Sequence, residues 1–148
     1  MTTTPGADAA RTALALSTTL GRLRARLRLE GGVFQTGLTI TQLSTLQRII
    51  DNGPMTGTAL AAAEHIRPQS MWELITVLVK EGLVERQPDP GDRRKILIAA
   101  TSAGENLVAD VLASRAAWLT RALTERLDEG ERQVLVTATE LLSRLAED

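Results

Sequence analysis

The sequence predicts a mainly α protein with a small β-hairpin. Apolar residues recur at spacings of three and four along most of the chain, which is the period of a helix with one buried face. Between Gly82 and Thr101 the pattern changes to two β-rich runs on either side of the turn segment PDPGDRRK. Aromatic residues make up only 2% of the chain, so the core must come from Leu, Ile, Val and Ala, a composition that favours helix packing.

Length and composition bound the function. The 148 residues, 43% of them hydrophobic, are enough for one domain with a real core, taken here as 1–148. The absence of cysteine excludes disulfides, thiolate metal sites and a cysteine redox switch. The opening MTTTPGADAAR has no apolar signal core, and no apolar run approaches the roughly 20 residues needed to cross a bilayer, so a cytoplasmic protein without a membrane partner is expected. His65 is the only histidine and has no second ligand at metal-binding spacing. There is no Gly-rich phosphate loop and no Ser, His and carboxylate set, so no catalytic residue, metal or cofactor is assigned.

Taken in order, the first eight residues or so lack a periodic pattern and are expected to fray. Leu16, Leu20, Leu23 and Leu27 then form one stripe. RLRARLRL at 22–29 also alternates like a strand, but the alternation fails before Leu20, which decides for a helix from about Ala9 to Leu29. Its arginines are either a solvated face or contacts to phosphate. Gly31 and Gly32 break it, and a loop is expected to about Ile40. A second helix follows over Thr41 to Asp51, with Leu43, Leu46, Ile49 and Ile50 inward and Asn52, Gly53 and Pro54 as its stop. Thr56 caps a third helix expected to bury Ala59, Leu60, Ala63 and Ile66. Pro68 opens a fourth, which closes at Gly82 with Met71, Leu74, Ile75 and Leu78 inward. Strands are expected from Leu83 to Pro88 and from Ile96 to Ala99. Ser102 and Glu105 fit a capping box for a long helix reaching about Leu127, its apolar side made of Leu107, Val108, Val111, Leu112, Leu119 and Leu123. Asp128 and Glu131 start a last helix in the same way, with Val134, Ala138, Leu141 and Leu145 on one face.

Two short helices joined by a tight turn and followed by a basic-tipped hairpin form the layout of a winged helix-turn-helix, here over 38–101. In that layout one helix enters the major groove of DNA and the wing reaches the neighbouring minor groove. The helices outside it, at 9–30 and 102–148, carry apolar stripes that one winged helix is too small to cover. A second copy of the same chain covers them economically, so these are expected to be dimerisation helices of a two-fold homodimer.

The segment LVERQPDPGDRRKILIAAT resembles the wing of the MarR family of bacterial transcriptional regulators, where an Asp-Arg-Arg turn precedes a strand ending in Leu-Thr. Here the turn is Asp92, Arg93 and Arg94, and Ala100 stands where the family has Leu before Thr101. GPMTGTALAAAEHIRPQSM is similar to the family's helix-turn-helix, and the resemblance extends over nearly the whole chain. It implies a DNA-binding regulator, taken as a repressor, that holds a pseudo-palindromic operator as a homodimer. It also implies a small lipophilic or phenolic ligand between the terminal helices and the winged helix. Leu20, Leu43, Leu46 and Trp118 either line such a site or are ordinary core.

Residues expected to meet double-stranded DNA follow from this layout. Gln69 and Ser70 occupy the first turn of the recognition helix, the end that meets base edges. Arg67 precedes them as a phosphate ligand, beside Pro68, and Met71 and Trp72 complete the set. Trp72 either packs on thymine methyls and sugars or covers the module's own core. At the wing, Arg93, Arg94 and Lys95 supply positive charge for a narrow minor groove, with Asp92 fixing an arginine or the turn. Family members often carry Arg or Lys where this chain has Glu73, a carboxylate that repels phosphate but accepts from cytosine N4. The net charge of −1 hides an uneven distribution: Arg11, Arg22, Arg24, Arg26 and Arg28 face only Glu30 near the start, while the stretch beyond Thr101 is net acidic. Two alternatives stand beside the regulator: a weakly specific nucleoid-type DNA binder, and a winged helix used as a protein-interaction module.

Overall fold

The computed structural model describes residues 5–147. Its elements are α1 (Pro5–Glu30), a 3-10 turn (Val33–Thr36), α2 (Ile40–Asn52), β1 (Met55–Thr56), α3 (Gly57–Ala63), α4 (Pro68–Lys80), β2 (Val84–Pro88), β3 (Ile96–Ala100), α5 (Ser102–Arg126) and α6 (Glu129–Ala146). The mainly α fold with a wing hairpin is thus present, and the chain divides into two compact units, Gly31–Ala113 and the terminal stretches up to Glu30 and from Ser114.

In the unit Gly31–Ala113 the strands pair antiparallel in the order β1-β3-β2. Val84 faces Ala100 at the open end of the hairpin, and Pro88 faces Ile96 at its tip. β1 adds a third strand, Met55 opposite Ile98 and Thr56 opposite Leu97, where the sequence shows only a two-stranded hairpin. Two residues are too few to carry an alternation, so β1 leaves no pattern. The core closes around Leu46, Leu60, Met71, Ile75, Leu78 and Ile98, each without solvent access. Leu43 and Leu46 belong to this core.

Local chemistry explains the boundaries. Thr39 and Gln42 form a reciprocal capping box, so α2 starts at Ile40 rather than Thr41. The Thr56 hydroxyl accepts from the Ala59 N–H and starts α3 at Gly57. That start sets the buried face as Gly57, Leu60 and Ala61, which leaves Ala59 exposed, contrary to expectation. At the end of α4, Gly82 sits at φ 70, with its N–H bonded to Val79 O and the Leu83 N–H to Leu78 O, a Schellman motif. The cap of α5 is Thr101, one residue before the expected Ser102: its hydroxyl accepts from the Gly104 N–H and donates to Gly82 O at 2.6 Å. Pairing of the Thr101 N–H with Leu83 O, between the end of β3 and the start of α5, makes Thr101 the half-in residue a cap requires. Gly104 then packs so tightly that a Cβ there would lie 2.2 Å from Leu83 O.

In the other unit, α1 runs from Pro5, a residue suited to a first helical position, so residues 5–8 of the stretch expected to fray are helical; residues 1–4 lie outside the described residues. The expected Asp128–Glu131 capping box opens α6. Leu14, Leu20, Leu23 and Leu29 of α1 and Val134, Leu141 and Leu145 of α6 are exposed. In the part of α5 that belongs to the unit Gly31–Ala113, Val108 and Val111 are buried but Leu112, expected on the same side, is exposed: it lies about 100° around the helix from Val111. Among the described residues no helix is long and apolar enough to cross a membrane.

Candidate nucleic-acid interface

A tight turn sets α4 against α3. The α3 helix ends with the same hydrogen-bond pattern as α4, His65 N–H to Ala62 O and Ile66 N–H to Ala61 O, so His65 occupies the position usually filled by glycine and takes φ 54. His65 therefore serves this turn through its backbone. Glu64 fastens this corner to α2, accepting from Arg48 Nε at 2.6 Å and Ser44 Oγ at 3.0 Å. Arg67 then stays extended as the N-cap of α4, with Pro68 at the first helical position. No side chain caps the free N–H groups of that first turn, so they remain available to an acceptor.

The α4 helix divides cleanly. Met71, Ile75 and Leu78 face the core, while Arg67, Pro68, Gln69, Ser70, Trp72, Glu73, Thr76, Val77 and Lys80 are exposed. Met71 is thereby removed from the residues expected to meet DNA: its side chain has no solvent access. Its helical phase, shared with Ile75 and Leu78, already gave that answer. Trp72 does two things at once. It keeps 39% of its surface exposed, yet its ring lies over Gly57, where a Cβ would come within 2.7 Å of Cζ2. The indole needs a glycine at the start of α3 to lie flat between the two helices.

Sequence reasoning missed Arg86. From β2 its guanidinium reaches Thr76 Oγ1 at 3.4 Å, which places an exposed cation at the edge of the exposed α4 face. Neither the hairpin pattern nor the basic run in PDPGDRRK points to it, because Arg86 lies outside the tip and its reach depends on how β2 packs on α4.

The wing tip is built by its aspartates. Asp89 Oδ1 accepts from the Gly91 N–H at 2.7 Å, and backbone bonds from Asp89 N–H to Lys95 O and from Lys95 N–H to Asp92 O close the loop. Asp92 accepts from the Arg94 backbone N–H and from Arg94 Nε, both at 3.1 Å. These bonds hold the Asp92 carboxyl below its ordinary pKa, the side-chain bond most and the backbone bond next. Arg94 nevertheless projects into solvent with 91% of its side chain exposed. Arg93 and Lys95 are exposed and have no side-chain hydrogen bond among the described residues. Elsewhere, Arg11 pairs with Asp8 at 3.1 Å and Arg26 with Glu30 at 2.8 Å along α1, a solvated face for these two.

Comparison with known proteins places this geometry. The MarR family model matches residues 38–96, from the loop before α2 to the start of β3. An HTH-type transcriptional regulator of Mycobacterium leprae is 34% identical over 139 residues, covering 94% of this chain and 95% of its own. The crystal structure of a transcriptional regulator from Pseudomonas aeruginosa superposes with a TM-score of 0.82 at 32% identity, over 95% of this chain and 97% of that one. The fold is shared with a Staphylococcus aureus MepR mutant bound to an oligodeoxyribonucleotide, at a TM-score of 0.68 and 22% identity over 90% of this chain and 97% of that one. A recognition helix with its polar face outward, an arginine-tipped wing, and relatives that are transcriptional regulators rather than enzymes lead to one assignment: the chain belongs to the MarR family of helix-turn-helix transcriptional regulators.

Proposed function

We propose that the protein is a cytoplasmic repressor that binds a pseudo-palindromic operator as a homodimer and is released by a small lipophilic or phenolic ligand. The observation that carries this is the α4 face, which leaves Gln69, Ser70 and Trp72 uncovered in the same compact unit as the Arg93, Arg94 and Lys95 wing tip. Gln69 is suited to pair with adenine and Ser70 to take a base or phosphate oxygen in the major groove. Arg67 contacts phosphate beside Pro68, and the wing arginines enter the minor groove while Asp92 keeps Arg94 aimed.

Dimerisation is supported by the leucines and valines left exposed on α1 and α6, which a second copy would cover. Two recognition helices then address half-sites about one DNA turn, roughly 34 to 36 Å, apart. Occupying such a site blocks access to a promoter, hence repression. Release needs only a ligand that favours a dimer shape in which the two helices no longer match that spacing.

Selection of bound sequences from random duplexes tests the proposal. An inverted repeat with half-sites one turn apart is the expected product, together with a dimeric mass by light scattering at micromolar concentration. A monomer, or a selected pool without an inverted repeat, overturns it. Glu73 and the net charge of −1 favour a second reading, a weakly specific nucleoid-type binder, for which selection enriches no motif and affinity depends on salt alone.

A further inference from the structure

The α4 face turned to solvent carries one carboxylate. Glu73 lies in the middle of the helix, beyond the first turn where the helix dipole would favour a negative charge, and among the described residues it has no ion-pair or hydrogen-bond partner. It therefore has no evident structural task. On a helix that enters the major groove, such a group must either cost affinity or meet a donor.

We propose that Glu73 is a specificity-determining residue that selects cytosine in each half-site, an inference that rests on the DNA-reading role given to α4 above. The chemistry of the base edges singles out cytosine. Guanine offers two acceptors in the major groove, and thymine offers an acceptor and a methyl group, so both leave a carboxylate desolvated and unpaired. Adenine offers its N6 donor beside the N7 acceptor, whose lone pair faces the second carboxylate oxygen. Cytosine presents the N4 amino donor with no second acceptor on its own base edge.

Geometry adds a register. Gln69 and Glu73 are four residues apart and both exposed, so they share one face of α4 about 6 Å apart along its axis. Stacked base pairs are about 3.4 Å apart, so the two side chains address positions roughly two steps apart. The half-site then holds an adenine read by Gln69 and a cytosine read by Glu73 about two base pairs away. Arg86, held at Thr76 one turn further on, supplies a nearby cation that offsets the repulsion between Glu73 and the phosphates.

Parallel selections from random duplexes with the full-length wild type, Glu73→Gln and Glu73→Ala test this, with titrations at fixed salt on the recovered duplex. Glu73 is exposed and unpaired, so both variants are expected to melt with the wild type. The wild type should recover a cytosine roughly two positions from an adenine, and replacing that cytosine by thymine should weaken it by about tenfold or more. Glu73→Gln should lose the cytosine preference, shift toward adenine there, and tolerate the replacement within about twofold, with the rest of the half-site unchanged. A wild-type half-site without the cytosine, or the same preference in both variants, overturns the role of Glu73 while leaving DNA reading by α4 intact. A pool with no recovered motif for any of the three overturns both.

Discussion

Asp92 and Arg94 are joined by a bond that closes within three residues: one carboxylate oxygen accepts from both the Arg94 backbone N–H and its Nε at 3.1 Å, and the other lies 3.4 Å from Nη2. The bond shapes the turn and aims the guanidinium outward. Because it lowers the Asp92 pKa, its contribution is present above the unfolded-state value and is lost as pH falls through the lower folded value. The Arg94 amide resonance followed from pH 6 downward should therefore shift with a midpoint below the ordinary aspartate value of about 3.9. A midpoint at or above that value rejects the bond, and Asp92→Asn should abolish the transition.

Removing the arginines separates positioning from reading. Arg94 is so exposed that Arg94→Ala should leave the fold intact while weakening operator binding by roughly 1 to 3 kcal/mol. Equal affinities for wild type and variant in a gel-shift titration at fixed salt would rule out the wing contact. Arg86→Ala should act differently. If its guanidinium meets phosphate at the edge of α4, affinity falls by a similar factor on every sequence and the slope of log affinity against log salt drops by about 1. A sequence-dependent loss with an unchanged slope would make Arg86 a base reader.

Two glycines should differ sharply in their tolerance of alanine. At Gly104 the added methyl would meet the Leu83 carbonyl at 2.2 Å, a backbone atom fixed by its bond from the Thr101 N–H. Gly104→Ala should cost about 3 kcal/mol or more and lower the denaturation midpoint accordingly. At Gly57 the obstacle is the Trp72 ring, a half-exposed side chain that can swing outward. Gly57→Ala should cost only about 1 to 2 kcal/mol, accompanied by a change in tryptophan fluorescence. Equal losses at the two sites would show that the Trp72 ring is as fixed as the strand.

What the sequence disclosed and what it hid divide along the range of the interactions. Gly82, Thr56, Pro68 and the Asp128–Glu131 pair act on neighbours within four residues, and each appears in the structure where its chemistry placed it. The α2 and α4 core faces were legible for the same reason, since a helix repeats its phase. Features made by distant segments left no local signal. β1 exists because β3 offers it an edge, Thr101 replaces Ser102 as a cap because Leu83 pairs with it, and Arg86 joins the α4 face because β2 packs there. Met71 shows phase overriding position: its place in the first turns suggested contact with DNA, but its alignment with Ile75 and Leu78 turned it inward.

Among the described residues, His65 is the one other than glycine that holds a positive φ. It holds φ 54 at the end of α3, where a side chain crowds the following carbonyl at a cost of roughly 1 to 2 kcal/mol. Glycine escapes that crowding but adds about 0.4 to 1 kcal/mol of unfolded-chain entropy. The balance predicts that His65→Gly stabilises the protein by roughly 0.5 to 1 kcal/mol, a rise of about 1 to 4 °C in melting temperature. The imidazole makes no hydrogen bond among the described residues, so its removal sacrifices no contact of that kind. His65→Ala is the control, since it deletes the ring but keeps the crowded Cβ, and it should not be stabilised. A His65→Gly variant that melts below wild type would show instead that the imidazole holds the turn, and would move this residue from a backbone role to a side-chain one.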